Sequence, residues 1–233
     1  SDAKKVAKAI ARDPVLATKI LRTANSALFG FLSKTTDIDA AVVRLGMKRV
    51  RSVAMALSVG KLFSCPEDSD GYSRLNVWMH SVAVGIINET LSKHATATGA
   101  KQLSGQALLA GLVHDIGIIL GDQHIGEKYL ELPGLSKQLG RAFFRVEQKR
   151  FGFDHAALGA AVLAKWRFPE ELVRAVAGHH EPDLGDRNLL APMTAMAELL
   201  ASVEQTGYAD VPGVPRELFG KLQKRLGLAG DRK

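Results

Sequence analysis

Two adjacent pairs carry the most chemistry in this chain: His114-Asp115 inside GLVHDIG, and His179-His180 inside AGHHEP. Imidazole together with carboxylate suits Zn, Mn, Fe or Ni rather than Ca. Such a set could activate a water for attack on phosphorus. Further histidines stand on separate predicted helices, His80 on one and His155 on another. His124 falls in a segment that also carries acids, and His94 falls at a predicted helix end, where a surface position is expected. Neighbours on a helix point about 100° apart, so His114 and Asp115 do not share a face. Both can reach one ion only at a helix end or kink, and Gly117 loosens the geometry there. A plainer reading competes: an isolated His on an apolar helix is usually a core or surface residue with a single hydrogen bond. The joint appearance of the two pairs and two further helical histidines weakens it and leaves a metal site open.

The elements that must position these groups read as helices throughout. Val6, Ala9 and Ile10 recur at helical spacing over residues 2–12. Asp13-Pro14 supplies a cap and a first-turn proline for a second helix, which ends near Asn25-Ser26 before a turn at Gly30. Asp37 opens a third helix that Gly46 breaks, and residues 48–63 form a fourth. Residues 64–73, SCPEDSDGYS, are rich in turn formers and predict a linker. Beyond it, helices are expected over 74–94, 106–120, 126–132, 135–150, 154–166, 169–180, 189–204 and 215–226. Trp166 and Phe168 are expected to pack in the core, and Asn25 and Ser26 to make structural hydrogen bonds at a helix end. No segment alternates as a strand does. The fold class expected is all-α, with two helical subdomains: 1–64, then the linker 65–73, then 74–233.

Composition sets broad bounds. The chain has 233 residues, 46% of them hydrophobic, enough for a sizeable core. Its formal net charge of +7 allows an acidic partner, a nucleotide or simply a solvated surface. The densest basic cluster, Arg44, Lys48, Arg49 and Arg51, is the candidate partner-binding face. One cysteine, Cys65, excludes an internal disulfide and fits a reducing cytosol, so a cytoplasmic location is expected. No apolar run reaches membrane-spanning length, and no signal peptide is visible. The missing initiator Met predicts a segment of a longer protein.

VWMHSVAVG, GLVHDIG and FDHAALGAAVLAKWRFPEELVRAVAGHHEP, in that order, resemble the HD superfamily of metal-dependent phosphohydrolases. AKAIARDPVLATKILRTANSALFG and TDIDAAVVRLGMKRVRSVAMAL narrow the resemblance to the HDOD family, over roughly residues 3–205. The resemblance implies a second subdomain built on an HD-like helical core. It implies a regulatory output role in bacterial signalling, often near cyclic-di-GMP pathways and generally without phosphohydrolase activity. It assigns His80 to the first superfamily histidine, His114 and Asp115 to the HD dyad, His155 to the His of the HP-like motif of the HD-GYP phosphodiesterases, and His179 and His180 to their HH pair. Glu198, in Met196-Ala197-Glu198, stands for the last acidic ligand, with Asp183 as a weaker alternative.

Two departures separate this chain from the active relatives. A lysine expected soon after HDIG is replaced by Ile118 and Ile119, and isoleucine cannot offer a cation to a phosphate. After the HH pair the chain reads Glu181-Pro182-Asp183-Leu184-Gly185-Asp186, without the Gly-Tyr-Pro of the HD-GYP phosphodiesterases. The expectation is therefore a non-catalytic signalling module that binds a protein or nucleotide partner, working with a sensor or receiver domain. The alternative is a phosphohydrolase acting on a nucleotide or cyclic dinucleotide, with Asp115 bridging one or two divalent transition metals (Mn, Fe, Ni or Zn). No cofactor is expected if the histidines are relics. Nucleic-acid binding is the least supported reading, because neither a helix-turn-helix nor an aromatic platform is present.

Overall fold

Helix-stopping residues set the frame of the chain. Asp37 caps one helix by accepting from the Asp39 N–H, Ser73 caps another by accepting from Asn76, and Asp154 caps a third by accepting from Ala157. Gly46, Gly140 and Gly152 end helices at positive φ, where residues with a Cβ are strained. A computed structural model describes residues 2–26, 34–60, 73–185, 187–203 and 216–228. Among the described residues all regular structure is helical. The chain divides into two compact units, Ser1–Lys61 and Leu62–Lys233.

The first unit holds α1 (Asp2–Ile10), α2 (Pro14–Ala24), α3 (Ile38–Leu45) and α4 (Met47–Gly60). Its core is one cluster that includes Ile10, Ile20, Val42, Leu45 and Val50, each less than one-tenth exposed. The Asn25 side chain donates to Thr35 O and accepts from Thr35 N, both at 2.8 Å, which ties the end of α2 to the start of the next segment. That is the structural role expected of Asn25. Ser26 Oγ likewise donates to Thr23 O at 2.8 Å. Within the basic cluster Arg51 is exposed, while Arg44 and Arg49 are half-buried. The side chain of Lys48 and the linker up to residue 72, Cys65 included, lie outside the described residues.

The second unit holds α5 (Arg74–His94), a 3-10 turn (Ala100–Leu103), α6 (Ser104–Val113), α7 (Ile116–Ile125), α8 (Glu127–Leu130), α9 (Leu132–Leu139), α10 (Phe143–Phe151), α11 (His155–Lys165), α12 (Glu170–Ala177), α13 (Leu190–Val203) and α14 (Arg216–Leu226). α5 packs most extensively against α6 and α13, and α11 against α7 and α12. Two glycines permit the close crossings. A Cβ on Gly111 would lie 2.5 Å from the Gly85 backbone, so α5 and α6 touch main chain to main chain. A Cβ on Gly117 would lie 1.9 Å from His155 O, so α7 abuts the first turn of α11.

Four expectations need correction. The helix read over 106–120 is two helices, α6 and α7, broken at His114-Asp115, where Asp115 has φ −98° and ψ 15°. The helix read over 135–150 is likewise two, because Gly140 takes the left-handed conformation. Trp166 is 44% exposed instead of buried; it caps α11, where its side chain leaves the packed face of the helix. Against expectation, Ala100–Ile125 is also long and apolar enough to cross a membrane, its most apolar 18-residue window having a mean hydropathy of 1.6. That window is 78% buried inside the protein, which is the behaviour of a core segment drawn from α6 and α7.

Candidate metal centre

The break between α6 and α7 turns consecutive residues toward one point. Helix ends leave carbonyls without a partner, and the histidines take them. His114 caps α6, and its Nδ1 lies 2.7 Å from Gly111 O. His179 follows the end of α12, and its Nδ1 lies 2.6 Å from Val176 O. His155 opens α11, and its Nδ1 lies 2.5 Å from Glu147 Oε2. In all three, one ring nitrogen is tied down by an acceptor and therefore carries the proton. The opposite nitrogen, Nε2, is aimed at Asp115.

Asp115 is the hub. Its Oδ2 lies 3.1 Å from His114 Nε2 and 3.8 Å from His80 Nε2. Its Oδ1 lies 3.3 Å from His155 Nε2 and 3.7 Å from His179 Nε2. His80 reaches the hub from the middle of α5, made possible by the Gly85–Gly111 crossing. On the far side, His180 Nε2 lies 2.8 Å from His155 Nε2, and His180 Nδ1 lies 3.4 Å from Glu198 Oε1. Glu198, from α13, also places Oε2 3.9 Å from His179 Nε2. All seven residues assigned by resemblance thus meet in the second unit. Asp183 does not join them. It is exposed and accepts from the Gly185 N–H at 2.8 Å, because the turn after the HH pair uses its carboxylate locally.

The chemistry of this donor set fits a divalent transition metal. His114 Nε2, His179 Nε2 and both Asp115 oxygens are buried with no aligned hydrogen-bond partner among the described residues. Such atoms are costly unless something satisfies them. A ligating His normally donates its second ring N–H to a carbonyl or carboxylate, and His114, His155 and His179 each do so. Three donor triads have ligand atoms within 4.8 Å of one another: His80, His114 and Asp115; His114, His179 and Glu198; His155, His179 and His180.

The buried charges are mutually adjusted. Burial works to raise the Asp115 carboxyl, but the adjacent His114 and His155 outweigh it and hold it well below the usual range. Burial works to lower His155, and Glu147 with Asp115 reverses this and raises it well above 6.5. His114 is raised for the same kind of reason, with Asp115 overcoming burial. His179 and His180 are lowered well below 6.5, by burial first and then by neighbouring imidazoles. Burial pushes Glu198 up to about 8.

Three participants escaped the sequence reading. Glu147, on α10, accepts from both the N–H and the ring of His155 and from the Tyr129 hydroxyl. Phe144 stacks on His180, with centroids 4.3 Å apart and planes 11° apart. The signal for Glu147 was present: it shares the apolar face of α10 with Phe143 and Val146. A carboxylate inside an apolar stripe needs a partner. His94 and His124 are exposed, away from the cluster. Ile118 and Ile119 are fully buried in α7, so the segment after HDIG presents no cation.

An all-α architecture with a histidine–carboxylate cluster at a helix break defines an HD-like domain. The chain belongs to the HDOD domain family, whose model matches residues 1–182. A protein of uncharacterised role from Treponema pallidum (strain Nichols) is 25% identical over 171 residues; these are 73% of this chain, which spans 32% of that relative's length. An HDOD domain protein of unknown function from Geobacter sulfurreducens superposes with a TM-score of 0.82 at 21% identity, covering 98% of this chain and 78% of that one. A candidate phosphohydrolase from Shewanella amazonensis SB2B superposes with a TM-score of 0.71 at 25% identity, covering 96% and 77%. The MmoQ response regulator of Methylococcus capsulatus str. Bath superposes with a TM-score of 0.54 at 25% identity, covering 99% and 87%.

Proposed function

We propose that this HDOD domain is a non-catalytic signalling module built around a divalent transition-metal centre. The observation that carries the reading is the orphaned set at Asp115, with three imidazoles whose Nδ1 atoms are already tied to acceptors. His80, His114, Asp115, His155, His179, His180 and Glu198 would hold one or two ions. Bound there, a metal would supply a Lewis acid toward a phosphoryl oxygen. The domain would act on a protein or nucleotide partner, in the signalling context that its response-regulator neighbour suggests. Arg44, Lys48, Arg49 and Arg51 are the proposed partner face, and a cyclic-di-GMP pathway is one setting that fits. The lone cysteine supports a cytoplasmic location.

The non-catalytic part rests on what the site lacks near the dyad. The segment after HDIG buries Ile118 and Ile119, so its side chains cannot neutralise a transferring phosphate. One observation favours the alternative, a metal-dependent phosphohydrolase: a cavity of about 430 Å³ reaches His179, His180 and Glu198 at the edge of the cluster. The deciding experiment pairs metal analysis of protein purified without chelators with turnover of bis(p-nitrophenyl) phosphate and a cyclic dinucleotide. Bound metal without turnover is the expected result. Turnover abolished by His114→Ala would establish the hydrolase instead. Absence of metal, with the fold retained in His114→Ala, would reduce the histidines to relics.

A further inference from the structure

The cavity beside the cluster has a cation of its own. Arg145, from the first turn of α10, and Glu181, which follows the HH pair, line it together with Phe144, His180, Glu198 and Ser202. The Arg145 guanidinium lies 4.7 Å above the Phe144 ring. Phe144 in turn stacks on His180. One continuous stack therefore runs from the edge of the proposed metal centre to an arginine at the cavity wall.

Arginine carries five N–H donors in a planar fork. Among the described residues Arg145 commits one nitrogen, Nη2, to Glu181 and another, Nη1, to Gln148 Oε1 at 3.1 Å. Both members of the ion pair are accessible, with side-chain exposures of 49% and 61%. A pair that open to solvent contributes little stability. An incoming anion can therefore take Glu181's place at small cost. The fork matches phosphate oxygens bidentately. Across the cavity, His180 and Glu198 are 16% and 15% exposed, which marks the cluster edge that a ligand would meet.

We propose that Arg145 is the specificity-determining residue of this cavity, gripping a phosphate group that lies between it and the cluster, and that Glu181 is its resident competitor. The ligand class is a compound bearing a terminal phosphate. Glu181 occupies the fork when that ligand is absent and sets a threshold concentration for its binding. The proposal rests on the metal-centre reading only in taking the cluster as the second positive pole. It also places the cation on α10 and not after HDIG, where Ile118 and Ile119 are buried.

The test is calorimetric titration of the full chain, with its metal content measured in parallel, against inorganic phosphate and separately against adenosine 5′-monophosphate. Arg145→Gln is expected to weaken phosphate binding roughly tenfold or more, and Arg145→Lys by less, since it keeps the charge but loses the fork. Glu181→Gln is expected to tighten it, by roughly threefold to tenfold, by freeing the fork. Metal content should be unchanged in all three. Equal affinity for the two ligands would assign the site to phosphate alone, and tighter monophosphate binding to a nucleotide reaching the apolar wall. Metal-replete protein that binds neither ligand, or binds them equally in wild type and Arg145→Gln, overturns the proposal and leaves the metal centre standing. Metal-free protein that binds phosphate through Arg145 overturns the metal centre and keeps the clamp.

Discussion

Glu147 holds His155 at two points, accepting from its backbone N–H at 3.1 Å and lying 2.5 Å from its Nδ1. The double contact fixes both the start of α11 and the rotation of the ring. It leaves Nε2 facing Asp115 Oδ1 at 3.3 Å. Tyr129 supports the arrangement by donating to the other carboxylate oxygen.

Glu147→Gln removes the charge and leaves one acceptor oxygen where the carboxylate supplied two, for the His155 ring and N–H and for Tyr129. Metal affinity, measured by competition with a chromophoric chelator, should fall roughly tenfold to a hundredfold. Tyr129→Phe should produce a smaller loss, because the carboxylate keeps its contacts with His155. An unchanged affinity in Glu147→Gln would show that the charge of the partner that orients His155 is not needed.

Metal should stabilise the second unit by mass action. At a free concentration one hundred times the dissociation constant the gain is about 2.7 kcal/mol. For a unit of this size that raises the melting midpoint by roughly 5–10 °C. Chelator should reverse the shift, and Asp115→Asn should abolish it by removing the hub carboxylate. Scanning calorimetry with and without chelator checks both statements.

Gly117→Ala should be severe. The added methyl would sit 1.9 Å from His155 O, and a backbone atom cannot step aside as a flexible side chain can. A loss of about 3 kcal/mol or more is expected from the displaced α7–α11 contact. Gly111→Ala should act similarly at the α5–α6 crossing, where the nearest atoms are 2.5 Å away. Both should also lose metal affinity in excess of their instability, read by chelator competition below the unfolding transition.

The metal-free protein should lose stability as pH rises from 6.5 toward 8. His155 and His114 are raised above 6.5 in the folded state, so the stability they contribute is present below that value and is lost as pH rises through their folded values. Glu198 moves the balance the same way. Its folded form keeps a proton up to about 8 that the unfolded chain releases near 4.5. His179 and His180, lowered in the folded state, oppose this only below 6.5. Urea denaturation of chelated protein at pH 6.5 and 8 reads the slope directly. Bound metal displaces the same protons, so calorimetric binding at pH 7 should show net proton release in buffers of differing ionisation enthalpy.

Local chemistry carried much of this protein in its sequence. Capping residues and glycines placed α3, α5 and α11 close to where they form, since Asp37, Ser73 and Asp154 satisfy helix N–H groups from within their own segments. The ordered histidine motifs named His80, His114, Asp115, His155, His179 and His180 before any fold was known, because motif order survives in a linear chain. Tertiary structure decided the rest. The break at His114-Asp115 is invisible to apolar periodicity, since both flanking helices are buried and the run reads as one. That Glu198 lies beside the HH pair and Asp183 does not follows from which helix packs behind the pair, a matter of distances through space. Glu147, Phe144 and Arg145 take their roles from neighbours 8, 36 and 36 positions away in the chain. Spacing along a helix specifies which residues share a face, but the face that each one meets is fixed only when the helices pack.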